Sequence, residues 1–141
     1  MSFRNWYSQQ FAETLSEPLS DADGIADTDI EALLDGRTIP AALRDYYLVA
    51  GRHWMNTNYD RLLQPNELRT ENSHTIFMDE NQCVSHWAFR NEDSMDDPSV
   101  YQGQLEDDRI VWYPLDQPLS QFIIESWRET CTGGDDDVAA Q

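Results

Sequence analysis

Between Thr28 and Gly51 the chain reads TDIEALLDGRTIPAALRDYYLVAG, a stretch that spells two short helices and the turn joining them. Thr28 is placed to cap the first helix, and Glu31, three residues on, can reach back to complete a capping box. Ile30, Leu33 and Leu34 follow at spacings of three and four, which gives that helix one apolar face. Gly36 can take the left-handed conformation that ends it. Pro40 suits the first turn of the second helix, where a missing N–H costs nothing. Leu43, Tyr46, Tyr47 and Ala50 then share one face, and Gly51 is expected to stop the second helix as Gly36 stops the first.

Around this hairpin the hydrophobic period changes once along the chain. A first helix is expected from Phe3 to Leu15, capped by Ser2, with Phe3, Trp6, Tyr7, Phe11 and Leu15 on one side. Ser16 to Gly24 reads as a loop. After Gly51 come segments rich in β-branched and aromatic residues: His74–Asp79, Gln82–Arg90, Val100–Leu105 and Arg109–Tyr113. In the second of these, Cys83, Trp87 and Phe89 fall on one face and Val84, His86 and Ala88 on the other. A last helix from Pro118 to Thr130 turns Leu119, Phe122, Ile123, Ser126 and Trp127 inward. Strands flanked by helices at both ends of the chain predict an α+β fold with one sheet and helices packed on it. A length of 141 residues fits one domain, here residues 1–133, with 134–141 as an acidic flexible tail. Leu43, Leu48, Phe77 and Phe122 are the expected core. Trp87 is expected in the core, and a strand is expected to end against it at Trp112-Tyr113-Pro114. Trp54 and Tyr59, in an aperiodic stretch, are the expected exposed aromatics.

Further motifs arrive in a fixed order. Arg61-Leu62-Leu63-Gln64-Pro65-Asn66-Glu67-Leu68 reads as a strand running into a Leu-Leu-x-Pro-x-Glu-Leu turn of helix. Ile76 to Val84 reads as two strands around an acidic-Asn-Gln turn, Pro98-Ser99-Val100-Tyr101 as a short strand, and Leu119 to Ile123 as the start of the closing helix. Together with the helical hairpin, this order resembles the SUKH superfamily, the family of fungal cell-wall-assembly regulators and of immunity proteins in bacterial toxin systems. The resemblance covers roughly Asp27 to Trp127. It departs from the pattern after Gly51, where family members often carry a paired Gly or Asn-Gly and this chain has Arg52-His53-Trp54. The resemblance implies an antiparallel or mixed sheet packed by N-terminal and C-terminal helices. It also implies a protein that binds and neutralises a cognate toxin domain, often a nuclease or another enzyme acting on nucleic acid.

Charge narrows the class of partner. Twenty-seven carboxylates face nine basic residues, all of them Arg, for a net charge of -18. Binding nucleic acid through its phosphates needs the opposite balance and is excluded. A basic protein partner, drawn in by long-range attraction, fits; so does plain solubility or a saline habitat. The acids gather at Asp21–Asp35, Glu92–Asp97, Glu106–Asp108 and Asp135–Asp137. The expected partner-binding residues are Asp96, Asp97, Glu106, Asp107 and Asp108, followed by Asp79 and Glu80 in a hairpin turn.

No chemistry-bearing motif stands beside these. The chain has no phosphate-cradling glycine loop, G-x-S-x-G elbow or H-E-x-x-H pair. Ser73-His74 and Ser85-His86 are neighbours that would point to opposite faces of a strand, and so would Cys83 and His86. The three His and two Cys lack zinc spacing. The expectation is a protein with no catalytic residues, metal or cofactor. No apolar run is long enough to cross a bilayer, and Met1-Ser2-Phe3-Arg4 begins no signal peptide. Cys83 and Cys131 therefore read as reduced thiols in a cytoplasmic protein. Two alternatives remain: a regulatory adaptor of the same fold, or a small hydrolase or transferase using His86 and nearby carboxylates.

Overall fold

The computed structural model describes residues 3–15, 18–91 and 96–139, the last ten of them as backbone only. Four helices, α1 (Phe3–Leu15), α2 (Asp27–Leu34), α3 (Ala41–Ala50) and α4 (Leu119–Ala139), accompany one antiparallel sheet. Its strands are β1 (Arg61–Leu62), β2 (Arg69–Glu71), β3 (His74–Asp79), β4 (Ser85–Arg90), β5 (Ser99–Glu106) and β6 (Arg109–Pro118). They lie in the order β1-β3-β4-β5-β6, and β2 pairs with the first half of the same β3 edge that β1 extends. The fold is α+β, with the N-terminal and C-terminal helices on the sheet. No helix among the described residues is long and apolar enough to cross a membrane.

The helical layer is held by aromatic rings. Tyr7 and Phe11 of α1 meet Tyr46 of α3 edge-on, at 5.6 and 5.8 Å between centroids. Phe11 also stacks on Trp127 of α4 at 4.0 Å. Such pairs contribute about 0.5–1.5 kcal/mol beyond the area they bury. Each buried tyrosine hydroxyl finds a partner, as burial of a polar group requires. Tyr7 donates to Ala42 O at 2.7 Å and Tyr47 to Leu63 O at 2.6 Å, while Tyr46 donates to Asn56 Oδ1 and accepts from Trp127 Nε1 at 3.1 Å. Burial pushes all three hydroxyls well above their ordinary titration range. Phe122 of α4 joins this layer to the sheet, touching Phe77 and Trp87 at 5.8 Å each.

The helical hairpin forms where the sequence places it, with different caps. Ala26 is the N-cap of α2, so Thr28 lies inside the helix and makes no capping bond. Asp27 and Asp29 occupy the first turn, where the helix dipole favours negative charge. Asp35 takes the left-handed conformation at the C-cap, with Gly36 at φ +86° behind it. Pro40 is the N-cap of α3, one position before the first turn. Gly51 ends α3 at φ -62°, which any residue could adopt; its requirement is spatial. A Cβ there would lie 2.6 Å from Ile25 Cδ1 and 2.7 Å from Tyr47 O.

Other departures have local causes. Leu48 is half-buried, whereas Leu43, Phe77 and Phe122 are core. The turn into β4 runs through Val84, leaving Cys83 exposed at φ +61°. The β3–β4 register slips at Phe77, which lets Ile76 through Asp79 all be buried in succession. Trp112-Tyr113-Pro114 does not end a strand: β6 continues to Pro118 through an irregularity that holds Asp116 at φ +54°. Pro114 and Pro118 are tolerated because β6 is the outer strand. Trp87, expected in the core, is only half-buried against Phe122, whereas Trp54 and Tyr59 are 61% and 60% exposed, as expected. Helix α4 continues to Ala139, through Gly133, Gly134 and the Asp run expected as a tail. The expected cap Ser2 and residues 140–141 lie outside the described residues.

Candidate protein-binding surface

The β5–β6 hairpin closes through Asp107 and Asp108, at φ +51° and +66°. Two successive positive φ values give the primed turn whose twist matches its strands, and Asp is one of the few side chains that tolerate them. Glu106 pairs with Arg109 in register and Leu105 with Ile110. One strand further in, Ser85 pairs with Gln104, which brings Val84 beside Leu105. Leu105 is 59% exposed, Val84 50% and Tyr113 45%. Val84 and Leu105 are therefore exposed side by side on one face of this end of the sheet, while Tyr113, which pairs with Gln102, stands on the other face with Glu106. Tyr113 donates to Glu106 Oε2 at 2.5 Å, a bond that raises the tyrosine's titration. Among the described residues, none of Glu106, Asp107 and Asp108 is in an ion pair.

This hairpin end continues the sheet face opposite the helices. Ile76, Ala88 and Tyr101 stand in one cross-strand row of that face, and His86, Gly103 and Trp112 in the next. Gly103 is required there: a Cβ would meet Ile110 Cγ2 and Trp112 Cζ3, each at 2.6 Å. Trp112 in turn stacks on His74 at 4.6 Å, and His74 meets Tyr101 edge-on at 5.0 Å. The face thus shields its centre with its own rings, leaving Trp112 Nε1 buried without an acceptor among the described residues.

Asp79 is not the solvated turn residue the sequence suggests. It ends β3, is 8% exposed, and takes a two-pronged bond from Arg69, Nη1 to Oδ2 at 3.0 Å and Nη2 to Oδ1 at 2.9 Å. His86, directly across on β4, places Nδ1 2.7 Å from Oδ1. Burial alone would raise the Asp79 carboxyl, but the bonds from Arg69 and His86 outweigh it and hold it below the usual range. An ionised carboxylate only accepts, so Nδ1 carries the proton and His86 donates. Asp79 therefore ties β2, β3 and β4 together and is removed from the binding set. Asp97 is removed for a similar reason: its Oδ1 accepts from Ser120 N at 2.9 Å and its Oδ2 from Ser120 Oγ at 2.6 Å, at the start of α4. Asp96 stays exposed, while its carbonyl accepts from Ala42 N. Glu80 is half-buried with Oε1 unpartnered. Glu92 and Asp93 lie outside the described residues.

Ser85 is buried, Cys83 lies in the turn, and His74 packs between Trp112 and Tyr101. No group of three or more His, Cys, Asp or Glu among the described residues could hold a metal ion. The Arg69-Asp79-His86 cluster was not foreseen, because it depends on the length of the β3–β4 turn and on the slip at Phe77.

No family model, curated protein or solved structure matches this chain.

Proposed function

We propose that this chain is a non-enzymatic protein-binding module of the SUKH type, an immunity protein that neutralises a basic toxin domain in the cytoplasm. The observation that carries the proposal is the hairpin end: Val84 and Leu105 exposed side by side on one face, with Tyr113 on the other, beside Glu106, Asp107 and Asp108, which are in no ion pair among the described residues. An apolar centre with a charged rim is how protein interfaces are composed. The order of elements supports the SUKH reading, since a helical hairpin, a Leu-Leu-x-Pro-x-Glu-Leu turn, antiparallel strands and a closing helix follow one another as the resemblance implies. The Arg residues support the acidic reading. Arg44 is tied to Asp27 and Glu31, Arg52 to Asp29, Arg61 to Glu67 and Arg69 to Asp79, so much of the positive charge is spent internally.

The test is co-expression with a toxin domain encoded in the neighbouring gene. The two should co-purify, and growth should be rescued. Leu105→Ala with Tyr113→Ala should lose both without altering the far-ultraviolet circular dichroism. Full rescue by that double variant would move the interface elsewhere. Absence of any such toxin, with capture of a signalling protein instead, would favour the adaptor reading.

A further inference from the structure

A cavity of about 120 Å³ opens between the segment after α3 and the turn of α4 that carries Ser126, Trp127 and Glu129. Met55, Leu62, Met78 and Trp127 form apolar walls, the half-exposed ring of Tyr59 borders it, and Asp60 and Glu129 place carboxylates in its lining. Small-molecule pockets run to ~300–1,000 Å³, so this space is too small for a cofactor and close to what one side chain fills. Asp60 Oδ1 accepts from Asn81 N at 3.0 Å, but neither Asp60 nor Glu129 is in an ion pair among the described residues. Glu80 adds further negative charge beside Asp60, and its buried Oε1 has no partner. Burial raises the Asp60 carboxyl, as does the neighbouring Glu80, against the lowering effect of the Asn81 N–H.

We infer that this cavity is a socket for one arginine side chain of the protein partner, its methylenes against Met78 and Leu62 and its guanidinium at Asp60. The inference rests on the reading of a basic partner and adds a second anchor. Arginine fits better than lysine here. Its guanidinium is planar, more weakly hydrated, stacks on rings such as Tyr59 and Trp127, and bonds carboxylates through two N–H groups. An arginine seated in a pocket is also the kind of residue that concentrates binding energy at interfaces.

The test needs no partner, so it can fail independently of the immunity reading. Butylguanidinium carries the tip and stem of an arginine, and butylurea is its neutral counterpart. In a two-dimensional NMR titration, butylguanidinium should shift the amide signals of Met55, Tyr59, Leu62 and Met78 and the Trp127 indole signal saturably, with Kd of roughly millimolar order for so small a ligand. Butylurea should shift them at least fivefold more weakly. Asp60→Asn keeps an oxygen for the Asn81 N–H and should weaken butylguanidinium by roughly fivefold, the scale of a partly solvated charge pair. Tyr59→Ala removes an exposed ring and should weaken it as well. No saturable shift at the cavity, equal binding of butylurea, or indifference to Asp60→Asn would each overturn the socket.

Discussion

Tyr46→Phe probes the core through its hydrogen bonds alone. Tyr46 is fully buried, and the substitution keeps the ring that Tyr7 and Phe11 meet edge-on. What disappears is one oxygen serving two partners: Trp127 Nε1, which donates to it at 3.1 Å, and Asn56 Oδ1, which accepts from it. Trp127 and Asn56 are each 4% exposed, so water has little access to the groups left behind. Asn56 cannot turn away freely, because its Nδ2 donates to Ala50 O at 2.8 Å. An unmet buried polar group costs about 1–3 kcal/mol, so two should cost about 2–6 kcal/mol. Tyr47→Phe provides the scale, since that hydroxyl donates to Leu63 O, and the loss of that bond should cost about 1–2 kcal/mol. Urea denaturation followed by tryptophan fluorescence measures both, provided the slope with denaturant is unchanged. A loss for Tyr46→Phe no larger than for Tyr47→Phe would refute the argument that one hydroxyl secures α3, α4 and the Trp54–Thr57 turn together.

Leu43→Ala should lower stability by about 2–5 kcal/mol in the same assay, because Leu43 is fully buried; an unchanged midpoint would contradict its place in the core. Asp79→Asn should flatten the acid limb of the stability profile. The folded carboxyl titrates below its unfolded value, so its contribution is present above the unfolded carboxylate range and is lost as pH falls through the folded value. A wild-type-like pH slope in Asp79→Asn would show that the Arg69 and His86 bonds do not favour the ionised form.

The sequence carried the fold through its periodicities. The apolar spacing of Phe3–Leu15 and Ala41–Ala50 gave both helix and inward face, because a helix repeats every 3.6 residues whatever packs against it. Strand β3 was legible to the residue. Strand β6 was not, because Pro114 and Pro118 read as breakers unless the strand is known to be outermost. The binding residues were legible only as charge. Asp79 and Asp97 look like any surface acid in sequence; their removal depends on Arg69, ten residues away, and on Ser120, twenty-three residues away. Glu106, Asp107 and Asp108 stay in the set because the hairpin places Leu105 and Val84 beside them on one face and Tyr113 on the other, a neighbourhood created by strand register.

The central claim is that the acidic hairpin steers a basic toxin while its apolar residues hold it, and stopped-flow association across a salt series tests it most directly. The charge variant is Glu106→Gln, Asp107→Asn, Asp108→Asn, since Asn accepts the left-handed backbone at both turn positions. Exposed charges act over a Debye length, about 8 Å at physiological ionic strength, and mainly set the encounter rate. The variant should associate roughly 3–10-fold more slowly at low salt with a flatter salt dependence, and its dissociation should be nearly unchanged. Leu105→Ala should instead speed dissociation. An association rate indifferent to salt in the wild type, or unchanged in the charge variant, would contradict the account and assign the acidity to solubility alone.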